Sequence, residues 1–160
     1  MDVEDGVITQ TGGTLSIKNY VGSAHGTTTG KFVMDAGTLN LTSGTLRING
    51  QTNNSASTNP AMSIASGVTV NANANHTTLI QSNNTSSNDE DIYINMNGKD
   101  LGNLTVNLSG HEVYLNSNVN VLGSLTVTAG ELTLGTHTST VAGATDIDGT
   151  LTVSTGSFDA

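Results

Sequence analysis

Two groups of acidic residues have the composition to hold a divalent cation. One is the run Asp89, Glu90 and Asp91, and the other is the pair Asp146 and Asp148. Calcium takes six to eight oxygen ligands, and loops supply carboxylates and carbonyls for it. Neither the nonapeptide calcium repeat nor an EF-hand loop is present, so a solvated acidic loop is the alternative interpretation. Calcium is the one cofactor that these residues suggest, and otherwise we expect none.

Three tyrosines, Tyr20, Tyr93 and Tyr114, are the residues best suited to contact a sugar. A groove that holds one of them beside paired carboxylates would favour a carbohydrate-binding or carbohydrate-cleaving protein. Glycoside hydrolysis needs two carboxyl groups several ångströms apart, and no such pair is marked in the sequence. A sugar-cleaving groove also offers aromatic platforms, and aromatic residues make up only 3% of the chain. We therefore predict that the protein is not an enzyme.

The histidines give no sign of a metal centre. His25, His76, His111 and His137 lie far apart in the sequence, without the local spacing of a zinc site. The chain has no cysteine, which excludes disulfides and thiolate ligands. We expect the four histidines to be exposed polar residues.

The charge and the hydropathy exclude two classes of partner. The 160 residues carry a formal net charge of -9, and such a surface repels phosphate backbones. No segment approaches the roughly 18 consecutive apolar residues of a membrane helix. Nucleic-acid binding and membrane insertion are therefore not expected. Hydrophobic residues make up 34% of the chain, which predicts a thin aliphatic core.

A repeated sequence motif, Gly-x-Leu-x-(Val or Leu), forms the framework that must position the candidate residues named above; we call each copy a phrase. It is clearest in the segments that start at Gly102, Gly123, Gly130 and Gly149. Apolar residues alternate with Thr or Asn, which is the pattern of a half-buried strand, and a glycine turn introduces each strand. No stretch has the spacing of an amphipathic helix, so the domain should be almost wholly β.

The distances between glycines predict how these strands are arranged. Gly13 and Gly37 are 24 residues apart, and Gly102 and Gly123 are 21 apart, whereas Gly123 and Gly149 are 26 apart. About three short strands and their corners fit in that length, which is typical of one coil of a parallel β-helix. We predict an all-β, right-handed parallel β-helix (β-solenoid) with coils of about 21 to 26 residues, the hand following the usual crossover preference.

One domain should span residues 1–160, with polar loop excursions near 51–60 and 81–91. The phrase continues to the last residues, so we expect a segment of a longer chain or of a filament, whose end pairs with another subunit or with adjoining repeats. The residues predicted to point inward are aliphatic. They are Leu15, Ile17, Leu39, Leu41, Leu46, Ile48, Val68, Val70, Ile92, Ile94, Leu104, Val106, Val113, Leu115, Leu125, Val127, Leu132, Leu134, Leu151 and Val153.

Residues 102–160, and less closely 37–71, resemble the Thr/Asn/Gly-rich repeats of large bacterial surface and adhesin-type β-helix proteins. The phrases that begin at Gly123 and at Ile147 also look like tail-fibre repeats of bacteriophages. The resemblance implies an extracellular protein at a cell or virion surface with a structural or adhesive role. It carries over no functional residue.

Together these observations predict a non-enzymatic structural or adhesive segment of a surface filament, adhesin or fibre. Its partners would be further copies or adjoining repeats, end to end, in a homo-oligomer or filament, and surface glycans are a second class of partner. Two alternatives remain, namely a bacteriophage tail-fibre or virion appendage protein, and a carbohydrate-binding or carbohydrate-cleaving β-helix.

Overall fold

The computed structural model describes residues 1–17, 31–49, 60–81 and 91–160. Within these ranges the chain forms strands and no helix, which confirms the predicted all-β class. The strands are β1 (Asp2–Val3), β2 (Val7–Ile17), β3 (Phe32–Met34), β4 (Thr38–Asn49), β5 (Met62–Ile64), β6 (Thr69–Ala72), β7 (His76–Gln81), β8 (Ile92–Asn95), β9 (Asp100–Leu101), β10 (Asn103–Leu115), β11 (Val119–Val121), β12 (Leu125–Gly135), β13 (Thr138–Val141), β14 (Thr145–Ile147), β15 (Thr150–Val153) and β16 (Ser157–Asp159).

Every pairing between these strands is parallel. Twelve strands form one curled sheet, and β9, β11, β13 and β16 form a second sheet. Parallel neighbours cannot be joined by tight hairpins, so the chain must travel round before it pairs with itself again. The arrangement is compatible with the predicted β-helix.

The pairings sort the strands into three rows. Row A contains β1, β3, β5, β8, the second halves of β10 and β12, and β15. Row B contains the first halves of β2 and β4 with β6, and continues through the contact of β6 with β9 to β11, β13 and β16. Row C contains the second halves of β2 and β4, then β7, the first halves of β10 and β12, and β14. The chain visits A, B and C in that order, and we call one such passage a coil.

Most spacings in row A fall outside the predicted coil length of 21 to 26 residues, and the spacing of 21 between β8 and β10 falls within it. In row A, paired residues are 31, 30 and 32 positions apart from β1 to β8, as in the pair Asp2 and Val33. From β8 to β15 they are 21, 19 and 19 apart, as in the pair Leu132 and Leu151. Each long coil includes one segment outside the described residues, 18–30, 50–59 or 82–90, between rows C and A. The predicted loops near 51–60 and 81–91 therefore lie almost entirely outside the described residues.

Gly102 and Gly123 are equivalent, since the Gly123 N–H donates to the Gly102 carbonyl at 2.8 Å, but other spacings compared glycines that are not equivalent. Gly37 lies against the backbone of Gly6, not of Gly13, and Gly149 lies against Gly130, not Gly123. Several coils contain more than one glycine corner, as with Gly6 and Gly13 or Gly123 and Gly130, so successive phrases belong to different rows. Equivalent positions are found only when the row is known.

The glycine at one corner is required by its backbone. Gly130 has a φ of 80°, and a Cβ there would overlap the carbonyl oxygen of Leu108 in the preceding coil. A side chain would therefore be opposed by both the left-handed conformation and the close approach of two backbones. This corner turns the chain from row C to row A without an insertion.

The core consists of inward aliphatic side chains in register. Leu104 lies on Leu125 and Val106 on Val127, and all four are at most 1% exposed. The residues predicted to point inward are buried or partly buried, except Val153, which is 40% exposed because it lies on the outermost strand of row A. No helix among the described residues has the length and apolar character needed to cross a membrane.

Candidate functional site

Two tyrosines stack on the outer surface of row A. Tyr93 alternates with the inward residues Ile92 and Ile94, so its side chain points outward, and the register pairs it with Tyr114 on the next strand. The ring centroids are 4.8 Å apart, with 11° between the ring planes. This distance matches the spacing of neighbouring strands, so the rings form a ladder along the row. Such an aromatic pair adds about 0.5 to 1.5 kcal/mol beyond the area that it buries.

The tyrosine ladder ends at Tyr114. Its partner in the following coil is Thr133, and the next residue in that column is Thr152. A threonine side chain is much shorter than a tyrosine ring. One face of the Tyr114 ring is therefore turned toward Thr133, whose side chain is too short to cover it.

A column of carboxylates runs beside the tyrosines. Glu112 pairs with Glu131, and the backbone N–H of Glu112 donates to Asp91 Oδ1 at 3.0 Å. His111 Nδ1 lies 3.9 Å from Asp91 Oδ1, and within the described residues no lysine or arginine forms an ion pair with the column. We call Asp91, Glu112 and Glu131 the acidic column. Among the residues that the structure describes, no lysine or arginine offsets its negative charge.

Hydrogen bonds join the column to the ladder. Thr133 Oγ1 lies 3.2 Å from Glu131 Oε1 and 3.5 Å from Glu112 Oε2, close enough to donate to these carboxylates. The hydroxyl of Tyr114 bonds to Glu112, and this bond, with burial and the nearby charges, raises the pKa of Tyr114. Burial, followed by the charges of Asp91 and Glu112, raises the pKa of Tyr93. Both phenols therefore stay protonated well above neutral pH.

A shallow, open depression of about 260 Å³ lies where the acidic column meets the corner between rows C and A. It is lined by Gly110, His111, Glu112, Gly130, Glu131 and Thr150. Gly110 and Gly130 both have a φ of 80°, so the floor consists of backbone at two glycine corners. The walls provide carboxylate acceptors and one imidazole.

Three of the five predicted calcium ligands lie in the described residues, and the fold places Asp91 in a different row from Asp146 and Asp148. Asp146 lies in row C, paired with Thr126, and Asp148 follows it in a turn, where its N–H donates to the Val127 carbonyl. Asp91 lies before β8 in row A. Among residues 1–17, 31–49, 60–81 and 91–160, no group of three His, Asp or Glu side chains could hold a metal ion. Asp89, Glu90 and Tyr20 lie outside the described residues.

The sequence interpretation identified the two stacked tyrosines but missed Glu131 and Thr133, and it did not connect Glu112 with Tyr114. A signal for these residues was present. The four-residue segments that start at Asp91, Glu112, Glu131 and Thr150 align as an outward polar residue, an aliphatic residue, Tyr or Thr, and an aliphatic residue. The alignment is seen only when the segments are spaced by 19 to 21 residues, which is the coil length in the C-terminal half.

The histidine expectation was wrong for His76, which is completely buried. Comparison of the chain with protein-family models, curated proteins and solved structures finds no match.

Proposed function

We propose that this chain is a right-handed, three-sided parallel β-solenoid that forms a rigid, non-enzymatic segment of an extracellular filament, adhesin or fibre. One observation carries the proposal, namely a curled sheet of twelve parallel strands and a second sheet of four, which share one hydrophobic core. Each coil contacts mainly its neighbours, so coils can be added without changing the design, and this is how solenoids build rods. The proposed location is a cell surface or a virion surface.

Ladders of polar side chains on the outer surface support a structural role. Asn71 Nδ2 donates to Asn40 Oδ1 at 2.8 Å, which joins neighbouring coils in row B. Further along the row, Asn120 Nδ2 donates to Asp100 Oδ1 at 3.1 Å, and Thr140 Oγ1 donates to Asn120 Oδ1 at 2.9 Å. These bonds connect coils rather than converge on a pocket.

The strands at both limits of the stack favour association end to end. In the described structure, β1 pairs only with β3, and β14, β15 and β16 each pair on one side only. Unpaired strand edges are templates for further strands. The proposed partners are further copies of this chain or adjoining repeats of a longer one. A bacteriophage tail fibre or virion appendage would use the same architecture.

Electron microscopy of the purified protein over a concentration series, with and without calcium, tests this proposal. End-to-end rods or filaments that lengthen with concentration are the expected result. Monomers at every concentration would contradict self-assembly. Rods that form only with calcium would indicate that the acidic residues take part in assembly. Equal assembly in a chelator would indicate that the unpaired strand edges alone cause it.

A further inference from the structure

We propose that the tyrosine ladder and the acidic column of row A together form a binding site for a sugar ring that bears a free ammonium group. This is a function separate from the rod itself. The site would consist of the uncovered face of Tyr114, the carboxylates of Glu112 and Glu131, and the depression beside them. A glycan containing hexosamine units with unmodified amines is the ligand class.

The change from Tyr114 to the shorter Thr133 leaves space for a sugar ring on the tyrosine ladder. Tyr93 covers one face of Tyr114 at 4.8 Å, and the shorter Thr133 stands on the other side. A pyranose ring presents a face of C–H groups that packs on an aromatic ring, because that contact buries apolar surface on both partners. A ring placed above Thr133 would extend the ladder by one rung. Tyr93 stacks on the opposite face of the Tyr114 ring and supports it.

The negative charge of the acidic column favours a ligand that carries an ammonium group. The acidic column has no lysine or arginine partner within the described residues, and His111 makes its one ion-pair contact, at 3.9 Å. Carboxylates accept hydrogen bonds from hydroxyl groups, and more strongly from an ammonium group. An ammonium group near a tyrosine ring also gains from the cation–π interaction, worth about 0.5 to 1 kcal/mol at exposed sites. A neutral sugar would use only part of this arrangement, and an anionic sugar would be repelled.

The carboxylates of Glu112 and Glu131, which would accept hydrogen bonds from the ligand, are already held in place. Thr133 Oγ1 lies within hydrogen-bonding distance of Glu131 at 3.2 Å and of Glu112 at 3.5 Å. The Glu112 backbone is fixed by its bond to Asp91 at 3.0 Å. Side chains that are fixed before binding lose less conformational entropy when a ligand arrives. The depression of about 260 Å³ provides space beside them for the ring substituents.

The test is isothermal titration calorimetry at pH 5.5, where the amines of a glucosamine oligomer are protonated, and at low salt with three probes of equal length. These are an oligomer of glucosamine, the fully N-acetylated oligomer and an oligomer of glucose. The site variants are Tyr114→Thr, which copies the next rung, and Glu112→Gln and Glu131→Gln. The matched control is Asp146→Asn, which removes a carboxylate from row C. Circular dichroism melting confirms that each variant is folded.

We expect the glucosamine oligomer to bind at least about tenfold more tightly than either neutral probe, which corresponds to about 1.4 kcal/mol. Each site variant should lose at least about threefold in affinity, whereas Asp146→Asn should bind like the original protein. Equal affinity for the three probes would overturn the ammonium specificity. Equal losses in the control and in the site variants would overturn the location, and no binding by the folded protein would overturn the proposal. Rod formation in electron microscopy is an independent readout.

Discussion

His76 Nε2 lies 3.1 Å from Gln10 Oε1, in a buried polar contact between residues two coils apart. The register places Gly44 beside His76 in the intervening coil. Because Gly44 has no Cβ, it can lie against the backbone of Gly12 and Gly13 in the preceding coil. Gln10 Nε2 also donates to the Thr45 carbonyl at 2.9 Å, so the amide group is held from two directions.

This contact predicts a loss of stability in acid. Burial lowers the pKa of His76 below its ordinary value of 6.5, and His76 Nδ1 has no hydrogen-bond partner in the part of the chain that the structure describes. The unfolded chain therefore binds a proton more readily, so the free energy of unfolding should fall as the pH decreases through about 6.5 toward the lower folded pKa. Urea denaturation at a series of pH values from 8 to 5, at constant ionic strength, measures this dependence.

The control is His76→Gln, which retains an amide donor but has no group that titrates in this range. Its unfolding free energy should depend less on pH between 5 and 7 than that of the original chain. Carboxylates contribute equally to both proteins, so the difference between the two curves isolates His76. Identical curves would show that His76 is not the cause.

Burial of the core residues predicts a contrast between neighbours on one strand. Leu104→Ala and Leu125→Ala should each reduce the free energy of unfolding by about 2 to 5 kcal/mol, because each leaves a cavity between coils. The matched changes Thr105→Ala and Thr126→Ala on the outer face should stay within about 0.5 kcal/mol. Chemical denaturation of the four variants measures the contrast. Similar losses at both kinds of position would contradict the assignment of the faces.

Gly130 should be far less tolerant than a glycine in open space. Gly130→Ala should destabilise the fold by more than about 1 kcal/mol, since Gly130 has a φ of 80° and its neighbour Leu108 leaves no room for a Cβ. Gly12→Ala is the control, because a Cβ there meets nothing within 4 Å. Melting temperatures measure both effects. An equal shift for the two variants would mean that this corner is not closely packed.

The tyrosine ladder predicts an unusual phenol titration. Tyr114 should ionise well above the ordinary value of 10.0, because its hydroxyl bonds to Glu112 and because burial and nearby carboxylates disfavour the phenolate. Glu112→Gln should lower its pKa toward the ordinary value, since it removes the charged acceptor. The change in ultraviolet absorbance with pH, taken as the difference between each protein and its Tyr114→Phe derivative, isolates this residue. An unchanged titration in Glu112→Gln would exclude the bond.

The class of the fold was predictable from the sequence because its cause is local. The alternation in segments such as Leu104-Thr105-Val106 requires only that one side of a strand be buried. The coil length was not predictable, because it depends on which glycines are equivalent. Gly37 lies against Gly6 across a coil that contains residues 18–30, and no local pattern indicates that Gly6 rather than Gly13 is its equivalent.

The candidate site shows the same limit. Tyr93 and Tyr114 were identified by residue type alone, but the contacts that join Thr133 to Glu112 and Glu131 depend on register between coils. Asp146 and Asp148 looked equivalent to Asp91 as carboxylates, yet the fold places them in another row. Residue type predicts which chemistry is available, whereas register determines which groups meet.

The most direct test of the central claim, that the chain is a stack of parallel coils, is disulfide cross-linking in a protein that has no native cysteine. Thr9 pairs with Asn40, and Asn40 pairs with Asn71, on the outer surface of row B. The double variants Thr9→Cys/Asn40→Cys and Asn40→Cys/Asn71→Cys should each oxidise to an intramolecular disulfide, because neighbouring strands lie about 4.8 Å apart. Thr9→Cys/Asn71→Cys, with two strand spacings between its thiols, should remain reduced. Efficient cross-linking of that third pair, or failure of the first two in folded protein, would contradict the stacked-coil structure.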